Sequence, residues 1–411
     1  RYTSVTGVQT CALPISDIAL VGLAVMGQNL ILNMADHGFK VVAFNRTVSK
    51  VQDFLENEAA GNPNVVGAQS VEDMVSQLKS PKRIMLMVKA GSAVDAFIDM
   101  LLPHLQEGDI IIDGGNSHFP DSERRYSSLK EKGLLFVGCG VSGGEEGARY
   151  GPSMMPGGNP AAWPHVKDIF TSICAKVGNE PCCDWVGEGG SGHYVKMVHN
   201  GIEYGDMQLI SETYQLMKDA MGLTHDEMSK IFEEWNRGKL DSYLIEITAA
   251  ILKAKDTDGA PLLEKILDAA GQKGTGKWTA VSALDTGMPV TLIGEAVFAR
   301  CLSALKNERV QAAELLGNTT QAALTPEQIT ATLTHLPEAV YASKLVSYAQ
   351  GFMLLAAAAK EHNWALNYGG IALMWRGGCI IPQPFWVILP VPTRRSPLSP
   401  TCFWLPSLQM L

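Results

Sequence analysis

The chain lacks several features that would place it in a particular class. No apolar run approaches the roughly 18 residues that a membrane-spanning helix requires, although apolar residues make up 46% of the 411. Positive charge is not in excess, since the formal net charge is -9, which argues against a nucleic-acid or anionic-membrane surface. An anionic small molecule is still compatible with a local basic cluster. The composition is typical of a soluble globular protein.

Metal-binding and disulfide patterns are also missing. The eight cysteines are scattered, with no CxxC pair and no Cys/His spacing of the zinc-binding type. We therefore expect no zinc site, packed free thiols and a reducing cytoplasmic environment. A chain of this length predicts two or three domains.

Both ends differ from the rest of the chain. Residues 1–16 lack the features of a signal peptide and resemble a translated sequencing adapter, so we expect a non-native leader outside the fold. Residues 382–411 are rich in proline and show no helical or strand period. We expect this tail to come from a frameshift or a read-through intron.

Between residues 17 and 190, short apolar runs alternate with amphipathic stretches. The runs "DIALVG", "KVVAFN", "RIMLMVK", "DIIIDGGN" and "LLFVGCG" are separated by helical patterns. Alternation of this kind predicts a Rossmann-like α/β domain, with a doubly wound parallel sheet covered by helices on both faces. The nearly all-apolar strands fit a buried parallel sheet.

The first turn of this domain has the spacing of a dinucleotide-binding turn. Gly22 allows a tight turn, the small side chain of Ala24 lets a pyrophosphate approach, and Gly27 lets the helix pack on the strand. An ordinary small-residue turn is the alternative. The turn follows a strand and opens a helix, which favours dinucleotide binding by the whole stretch Gly22, Leu23, Ala24, Val25, Met26 and Gly27.

The end of the second strand indicates which dinucleotide binds. NAD-binding domains usually carry a carboxylate here for the ribose hydroxyls, whereas this chain has Asn45, Arg46 and Thr47. Arg46 can pair with a 2′-phosphate, and Asn45 and Thr47 can donate hydrogen bonds to it. The alternative is that Arg46 is a solvated surface charge. We expect NADP.

Two further turns and a glycine-rich junction follow. The turns Val88-Lys89-Ala90-Gly91 and Asp113-Gly114-Gly115-Asn116-Ser117 lie where strands end and should face the nicotinamide half of the cofactor; an ordinary turn is the alternative. The junction "GVSGGEEGARYGPSMMPGG" leaves backbone amides uncovered for a carboxylate or hydroxyl-rich ligand. A flexible linker is the alternative there.

From residue 191 to residue 381 the patterns are mainly helical, which predicts a separate domain. In "VKMVHNGIEYGDMQ" a polar face opposes an apolar one. The usual interpretation of a polar face is exposure to solvent, but a set containing histidine, asparagine and tyrosine favours a ligand-binding face. Its members are Lys196, His199, Asn200, Glu203 and Tyr204.

A second glycine-rich stretch, "GQKGTGKW", resembles a phosphate-binding P-loop. It fails two requirements, because Trp278 replaces the Ser or Thr that holds magnesium and because the helical pattern "LLEKILDAA" precedes it where a strand should. Its amides and lysines remain compatible with a phosphate ester.

Taken together, these motifs resemble the 6-phosphogluconate dehydrogenase family over roughly residues 17 to 381. They agree in order and spacing: "GLAVMGQNL", "FNRT", "IIDGGNS", "GVSGGEEGARYGPSMMPGG", "KMVHNGIEYGDMQ", "GQKGTGKW" and "YGGIALMWRGGCII". The resemblance implies oxidation of the C3 hydroxyl of 6-phosphogluconate by NADP, loss of CO2 and protonation of an enediol to give ribulose 5-phosphate, without a metal.

The resemblance also implies roles for individual residues. Lys196 matches the general base and Glu203 the general acid, which require a lowered and a raised pKa respectively. The matched contacts to the sugar acid are Asn116, Ser142, Gly143, Gly144, His199 and Asn200. The matched phosphate contacts are Tyr204, Lys273, Thr275 and Arg300. Cofactor contacts would come from Gly22 to Gly27, Asn45 to Thr47, Val88, Lys89, Ala90 and Asn116.

The family sequence stops near Ile381. Family members continue with helices and a tail that enters the partner subunit of a homodimer, so we expect the chain as written to be unstable or inactive. The alternatives are a related β-hydroxyacid dehydrogenase acting on a non-phosphorylated acid, a P-loop phosphotransferase and a non-catalytic NADPH-binding protein.

Overall fold

The computed structural model describes residues 16–272, 274–317 and 324–381. Its first part contains ten strands: β1 (Ile18–Val21), β2 (Val41–Phe44), β3 (Val65–Gly67), β4 (Arg83–Leu86), β5 (Ile110–Asp113), β6 (Leu135–Ser142), β7 (Ser153–Gly158), β8 (Lys176–Val177), β9 (Glu180–Pro181) and β10 (Gly187–Glu188). The expected leader and tail lie outside the described residues except for Ser16. Ser16 was placed outside the fold, yet it is buried and its amide donates to the Gln77 carbonyl.

Helices alternate with these strands. They are α1 (Val25–Asp36), α2 (Ser49–Glu56), α3 (Val71–Ser76), α4 (Ser92–Leu101), α5 (Phe119–Lys130), α6 (Gly144–Tyr150) and α7 (Trp163–Ile173). Short 3-10 helices span Leu102–His104 and Pro160–Ala162. Ser70 caps α3, because its side chain accepts a hydrogen bond from the Asp73 amide.

Eight of the strands form one sheet in the order β10-β7-β6-β5-β4-β1-β2-β3, and β8 pairs with β9. Strands β1 to β6 are mutually parallel, which confirms the predicted doubly wound arrangement. Successive side chains of β1 lie on opposite faces of the sheet, so Leu20 packs in one hydrophobic cluster and Val21 in another. Both faces of the sheet are therefore covered by helices.

The glycine-rich junction forms regular structure. Strand β6 extends to Ser142, α6 follows, and β7 returns antiparallel to β6. Strand β7 was not predicted, because its sequence "SMMPGG" has neither β-branched residues nor alternation. Its glycines allow close packing: a Cβ atom at Gly157 would lie 2.5 Å from the Gly192 amide nitrogen.

The second part of the chain is helical. It contains α8 (Ser191–Gln215), α9 (His225–Trp235), α10 (Tyr243–Lys253), α11 (Thr275–Thr286), α12 (Thr291–Ala304), α13 (Lys306–Leu316), α14 (Pro326–Glu361) and α15 (Tyr368–Met374). A π-helical turn, Leu216–Ala220, follows α8. The stretch "LLEKILDAA", expected to be helical, forms only a 3-10 turn over Leu262–Lys265. Among the described residues, no helix is long and apolar enough to cross a membrane.

Helix α8 is held by its apolar face. Val195, Val198 and Ile202 are fully buried in a cluster that also contains Leu355 of α14 and Trp375. Helix α14 approaches closely, since a Cβ atom at Gly351 would lie 2.6 Å from the Ile202 side chain. The opposite, polar face of α8 is therefore held in a fixed orientation.

Candidate active site

The polar face of α8 is turned away from solvent. Lys196, His199 and Tyr204 are 5%, 0% and 7% exposed, while Asn200 and Glu203 are partly buried. Strand β6 covers the start of this face, because a Cβ atom at Gly140 would lie 2.3 Å from the Lys196 Cβ. A solvated helix face is therefore the wrong interpretation of this pattern.

Burial changes the acid–base properties of Lys196. Desolvation lowers the pKa of its ammonium group, while the nearby Glu203 carboxylate and Cys379 act in the opposite direction. A lysine with a lowered pKa is more often neutral near pH 7 and can accept a proton. Only the neutral form can act as a general base.

His199 lies at the centre of the face. Its Nδ1 is 3.4 Å from Lys196 Nζ and 3.1 Å from Asn200 Oδ1, and its Nε2 is 3.4 Å from Ser142 Oγ. Glu203 Oε2 is 3.9 Å from the same Nδ1. Burial, and then the charge of Lys196, hold the pKa of His199 well below its usual value. The imidazole is thus neutral and serves as a hydrogen-bonding group rather than a cation.

A second group of the predicted residues meets at Tyr204. The Arg300 guanidinium lies 4.1 Å from the centre of the Tyr204 ring, in a cation–π arrangement. Gly276, at the start of α11, leaves room for that ring, since a Cβ atom there would lie 2.6 Å from it. Asn200 Nδ2 donates to Thr275 Oγ1 at 3.1 Å. Lys273 lies outside the described residues.

The glycines at the end of β6 border the same region. Gly143 has φ of +118° and begins the turn into α6, and Gly144 has φ of +63°. A side chain at Gly143 is excluded, because its Cβ would lie 2.7 Å from the Gly378 carbonyl oxygen. Gly144 is exposed, so its backbone is accessible to a ligand.

The predicted dinucleotide turn lies at the carboxyl ends of the central strands. Gly22 has φ of +110°, and a Cβ atom there would lie 2.4 Å from the Met87 carbonyl oxygen. A Cβ atom at Gly27 would lie 1.9 Å from the Gly22 oxygen. Ala24 begins α1 and caps no amide with its side chain. The first amides of the helix therefore remain available for an anion. Leu23 is buried, Met26 is partly buried and Val25 is exposed.

Asn45 joins this turn to the second strand. Its Oδ1 accepts from the Leu23 amide at 3.2 Å, and its Nδ2 donates to the Thr47 carbonyl at 3.0 Å. Arg46 and Thr47 are exposed beside it. Residues 45–47 therefore lie directly next to the first glycine turn, with a guanidinium where a carboxylate would favour NAD.

The other two turns complete the same edge. Asp113 is fully buried and holds its own turn, accepting from the Gly115 amide at 3.1 Å and from Ser117 Oγ at 2.6 Å. A Cβ atom at Gly115 would lie 3.1 Å from the Val88 oxygen. Lys89 and Asn116 are exposed next to this contact, and Ala90 is partly buried.

Similarity to known proteins agrees with this geometry. Residues 17–187 match the NAD binding domain of 6-phosphogluconate dehydrogenase, and residues 192–389 match its C-terminal domain. The Mus musculus protein named "6-phosphogluconate dehydrogenase, decarboxylating" is 69% identical over 90% of this chain and 76% of its own length. The chain belongs to the 6-phosphogluconate dehydrogenase family.

Solved structures give the same result. Plasmodium falciparum 6-phosphogluconate dehydrogenase, solved in complex with its cofactor NADP+ and in complex with its substrate 6-phosphogluconate, matches with a TM-score of 0.87 at 47% identity, over 90% of this chain and 79% of that chain. Mycobacterium tuberculosis 3-hydroxyisobutyrate dehydrogenase matches with a TM-score of 0.53 at 18% identity, over 71% of this chain and 93% of that chain. The second likeness concerns the fold alone.

Within this 6-phosphogluconate dehydrogenase site, two residues had not been assigned from the sequence. Cys379 is buried, and burial raises the pKa of its thiol to about 12, while the nearby Lys196 charge opposes that shift. Trp375 packs edge-on against His199, with ring centres 5.5 Å apart. Both belong to "MWRGGCII", whose spacing gives no indication that it folds back onto α8. Among the described residues, no cluster of His, Cys, Asp or Glu forms a metal site.

Proposed function

We propose that this chain catalyses the oxidative decarboxylation of 6-phospho-D-gluconate to ribulose 5-phosphate and CO2, with reduction of NADP to NADPH. The buried Lys196 carries this proposal, because His199 lies close to both Lys196 and Glu203 on one helix. The 69% identity to a protein named for this reaction supports it. The reaction belongs to the pentose phosphate pathway.

The side chains of α8 divide the proton transfers. Neutral Lys196 takes the proton from the C3 hydroxyl as the hydride leaves, which gives a β-keto acid that loses CO2. Glu203 then supplies a proton to carbon in the resulting enediol. His199, held neutral between Lys196 and Ser142, orients the hydroxyl groups by hydrogen bonding.

The Tyr204 and Arg300 pair explains a preference for a phosphorylated acid. Arg300 places its guanidinium over the Tyr204 ring, and its Nη1 donates to the Gly271 carbonyl at the start of "GQKGTGKW", which brings together groups that suit a phosphate ester. A related β-hydroxyacid dehydrogenase acting on a smaller acid has no use for this set. Lys273 and Thr275 complete the proposed phosphate contacts, and Asn116, Ser142, Gly143, Gly144 and Asn200 the sugar-acid contacts.

The residues at the strand ends fit NADP. The backbone amides at the start of α1 have no side-chain cap, so they are available to a pyrophosphate. A side chain at position 22 would clash with the Met87 carbonyl oxygen, so only glycine fits this turn. Arg46 is exposed where a 2′-phosphate would lie. The bound cofactor would supply the ring that accepts the hydride, and the turn at residues 88–90 together with Asn116 would hold that ring.

The organisation of the chain is part of the proposal. We assign residues 17–190 to NADP binding and residues 191–381 to substrate binding and dimerisation. Ser16 packs with the first of these domains. Exposed apolar side chains support a homodimer contact, among them Leu284, Phe298 and Leu302. The six described cysteines are free thiols, which supports a cytoplasmic location.

The test is steady-state turnover by the full chain, with NADPH and CO2 measured together. We expect both with 6-phosphogluconate and NADP, and far less with 3-hydroxyisobutyrate, unphosphorylated gluconate or NAD. Binding of NADP and 6-phosphogluconate is measured in parallel by calorimetry. Binding of both ligands without turnover would contradict the proposed function, as would the absence of binding and turnover together.

A further inference from the structure

Arg125 on α5 is buried, with its side chain 2% exposed, although it touches neither proposed ligand. Its guanidinium donates to three acceptors from three segments. Nη1 donates to Asp113 Oδ2 at 3.2 Å, Nη2 to the Gly91 carbonyl at 3.0 Å, and Nε to Asp95 Oδ1 at 2.8 Å. One planar group thus bridges the ends of β4 and β5.

The two bridged turns carry the proposed nicotinamide contacts. Gly91 ends the Val88–Gly91 turn and begins α4, with φ of +89°. Asp113 holds the second turn, and through its carboxylate the Arg125 guanidinium acts on both the Gly115 amide and the Ser117 hydroxyl. A shift of Arg125 would therefore move both turns relative to each other.

The same helix also contacts the catalytic helix. Ser122, one turn before Arg125, has its Oγ 2.6 Å from His193 Nδ1. His193 is 2% exposed in the first turn of α8, three residues before Lys196, and a Cβ atom at Gly138 would lie 2.8 Å from its ring. Helix α5 is therefore in direct contact with both nicotinamide-side turns and the helix of the proposed base.

We propose that Arg125 is a positioning residue that sets residues 88–91 and 113–117 in register and, with Ser122 and His193, aligns them with the helix that carries Lys196. This inference rests on the proposed function, since it concerns the nicotinamide end of NADP. Neutralising the buried Asp113 charge needs only one cation. The three-way bridge needs a planar group with several donors, which lysine cannot replace.

Arg125→Lys separates these two roles, and the neighbouring Arg124→Lys is its matched control. Arg124 is exposed and pairs with Asp95 and Asp121, without a contact to either turn. In the full chain we expect Arg125→Lys to fold, to weaken NADP binding about tenfold by calorimetry, and to increase hydrogen exchange of amides in 88–91 and 113–117. Arg124→Lys should leave both quantities unchanged.

A purely stabilising role would raise hydrogen exchange across the whole domain and leave the NADP affinity of the folded protein unchanged. That result, or equal affinities of the two variants, would overturn the inference. If Arg125→Lys does not fold, Ser122→Ala provides the second test, with the same local increase in exchange expected near 113–117 and His193. If the unaltered chain binds NADP but does not turn over 6-phosphogluconate, the proposed function is contradicted. The NADP affinities of the Arg125→Lys and Arg124→Lys variants can still be compared in that case.

Discussion

The cofactor edge of the sheet and the polar face of α8 are built in opposite ways. At the edge, the groups proposed to touch NADP are exposed, such as Arg46, Lys89 and Asn116, and the glycine backbone provides the shape. On α8, Lys196 and His199 are buried against β6 and Trp375. The exposed groups at the edge of the sheet can attract an anion while they stay hydrated. On α8, burial lowers the pKa values of Lys196 and His199.

This difference determines how each region should respond to substitution. An exposed charge acts through screened attraction and a few hydrogen bonds, so its loss weakens binding moderately and depends on salt. The buried Lys196, with its lowered pKa, is proposed to perform a chemical step that no neighbour on the same face can replace.

Lys196→Met should reduce turnover by about 10⁴-fold, because an apolar side chain of similar length cannot accept the C3 proton. NADPH formation under saturating substrate measures the effect. NADP affinity should change little, because the proposed contacts to the cofactor phosphates come from the start of α1 and from Arg46 rather than from Lys196. Turnover equal to that of the unaltered chain would remove Lys196 from the mechanism.

Lys344→Met is the matched control for Lys196→Met, because Lys344 is a second buried lysine that contacts α8. Lys344 Nζ donates to Asp206 Oδ2 at 2.9 Å, and both side chains are at most 1% exposed. Breaking this pair leaves Asp206 buried and uncompensated, which should lower the free energy of unfolding by about 3–5 kcal/mol. Denaturant unfolding measures the loss, while turnover per folded molecule should be kept.

Glu203→Gln should reduce release of ribulose 5-phosphate by about 10³-fold, because the amide cannot donate the proton that completes the reaction. The first oxidation should suffer less, so a single turnover should form more NADPH than ribulose 5-phosphate. Rapid-quench analysis of both products measures the ratio. Equal losses of the two products would show that Glu203 also acts before CO2 leaves.

Arg46→Ala should raise the KM for NADP by about 10- to 100-fold, the value of one or two charge-assisted hydrogen bonds, and leave the KM for NAD unchanged. The penalty should shrink at high salt, in contrast to the Lys196 effect. Lys40→Ala is the control, since Lys40 is exposed at the opposite end of β2. An equal change for both cofactors would show that Arg46 does not contact the 2′-phosphate.

The smallest expected effect is a displacement of the pH profile. The proposed mechanism requires neutral Lys196, so we expect kcat/KM for NADPH formation to rise as pH increases through the lowered pKa of this lysine. The Glu203 carboxylate opposes that lowering. Glu203→Gln should therefore lower the pKa of Lys196 further and shift the acidic limb to lower pH. A shift to higher pH would mean that the limb belongs to another group.

Much of the fold followed from local pattern. The alternation of apolar strands and amphipathic helices predicted the parallel sheet, and the glycine spacing predicted the tight turn at Gly22. Strand β7 and helix α6 were not predicted, because a glycine-rich stretch has no periodicity to reveal its partners. The 3-10 turn at Leu262–Lys265 replaced a predicted helix, since a short segment with no buried residue has no tertiary packing to stabilise a helix.

The candidate site divides in the same way. The residue types of the site can be read from the sequence alone. The same is true of the helical spacing that places Lys196, His199 and Glu203 on one face, because that periodicity is local. Burial of the face was decided by the tertiary structure, through Gly140 of β6 and through Trp375 and Cys379, which return to α8 from the far end of the chain. The pKa of Lys196 depends on that burial, so only the folded chain determines whether this lysine can act as a base.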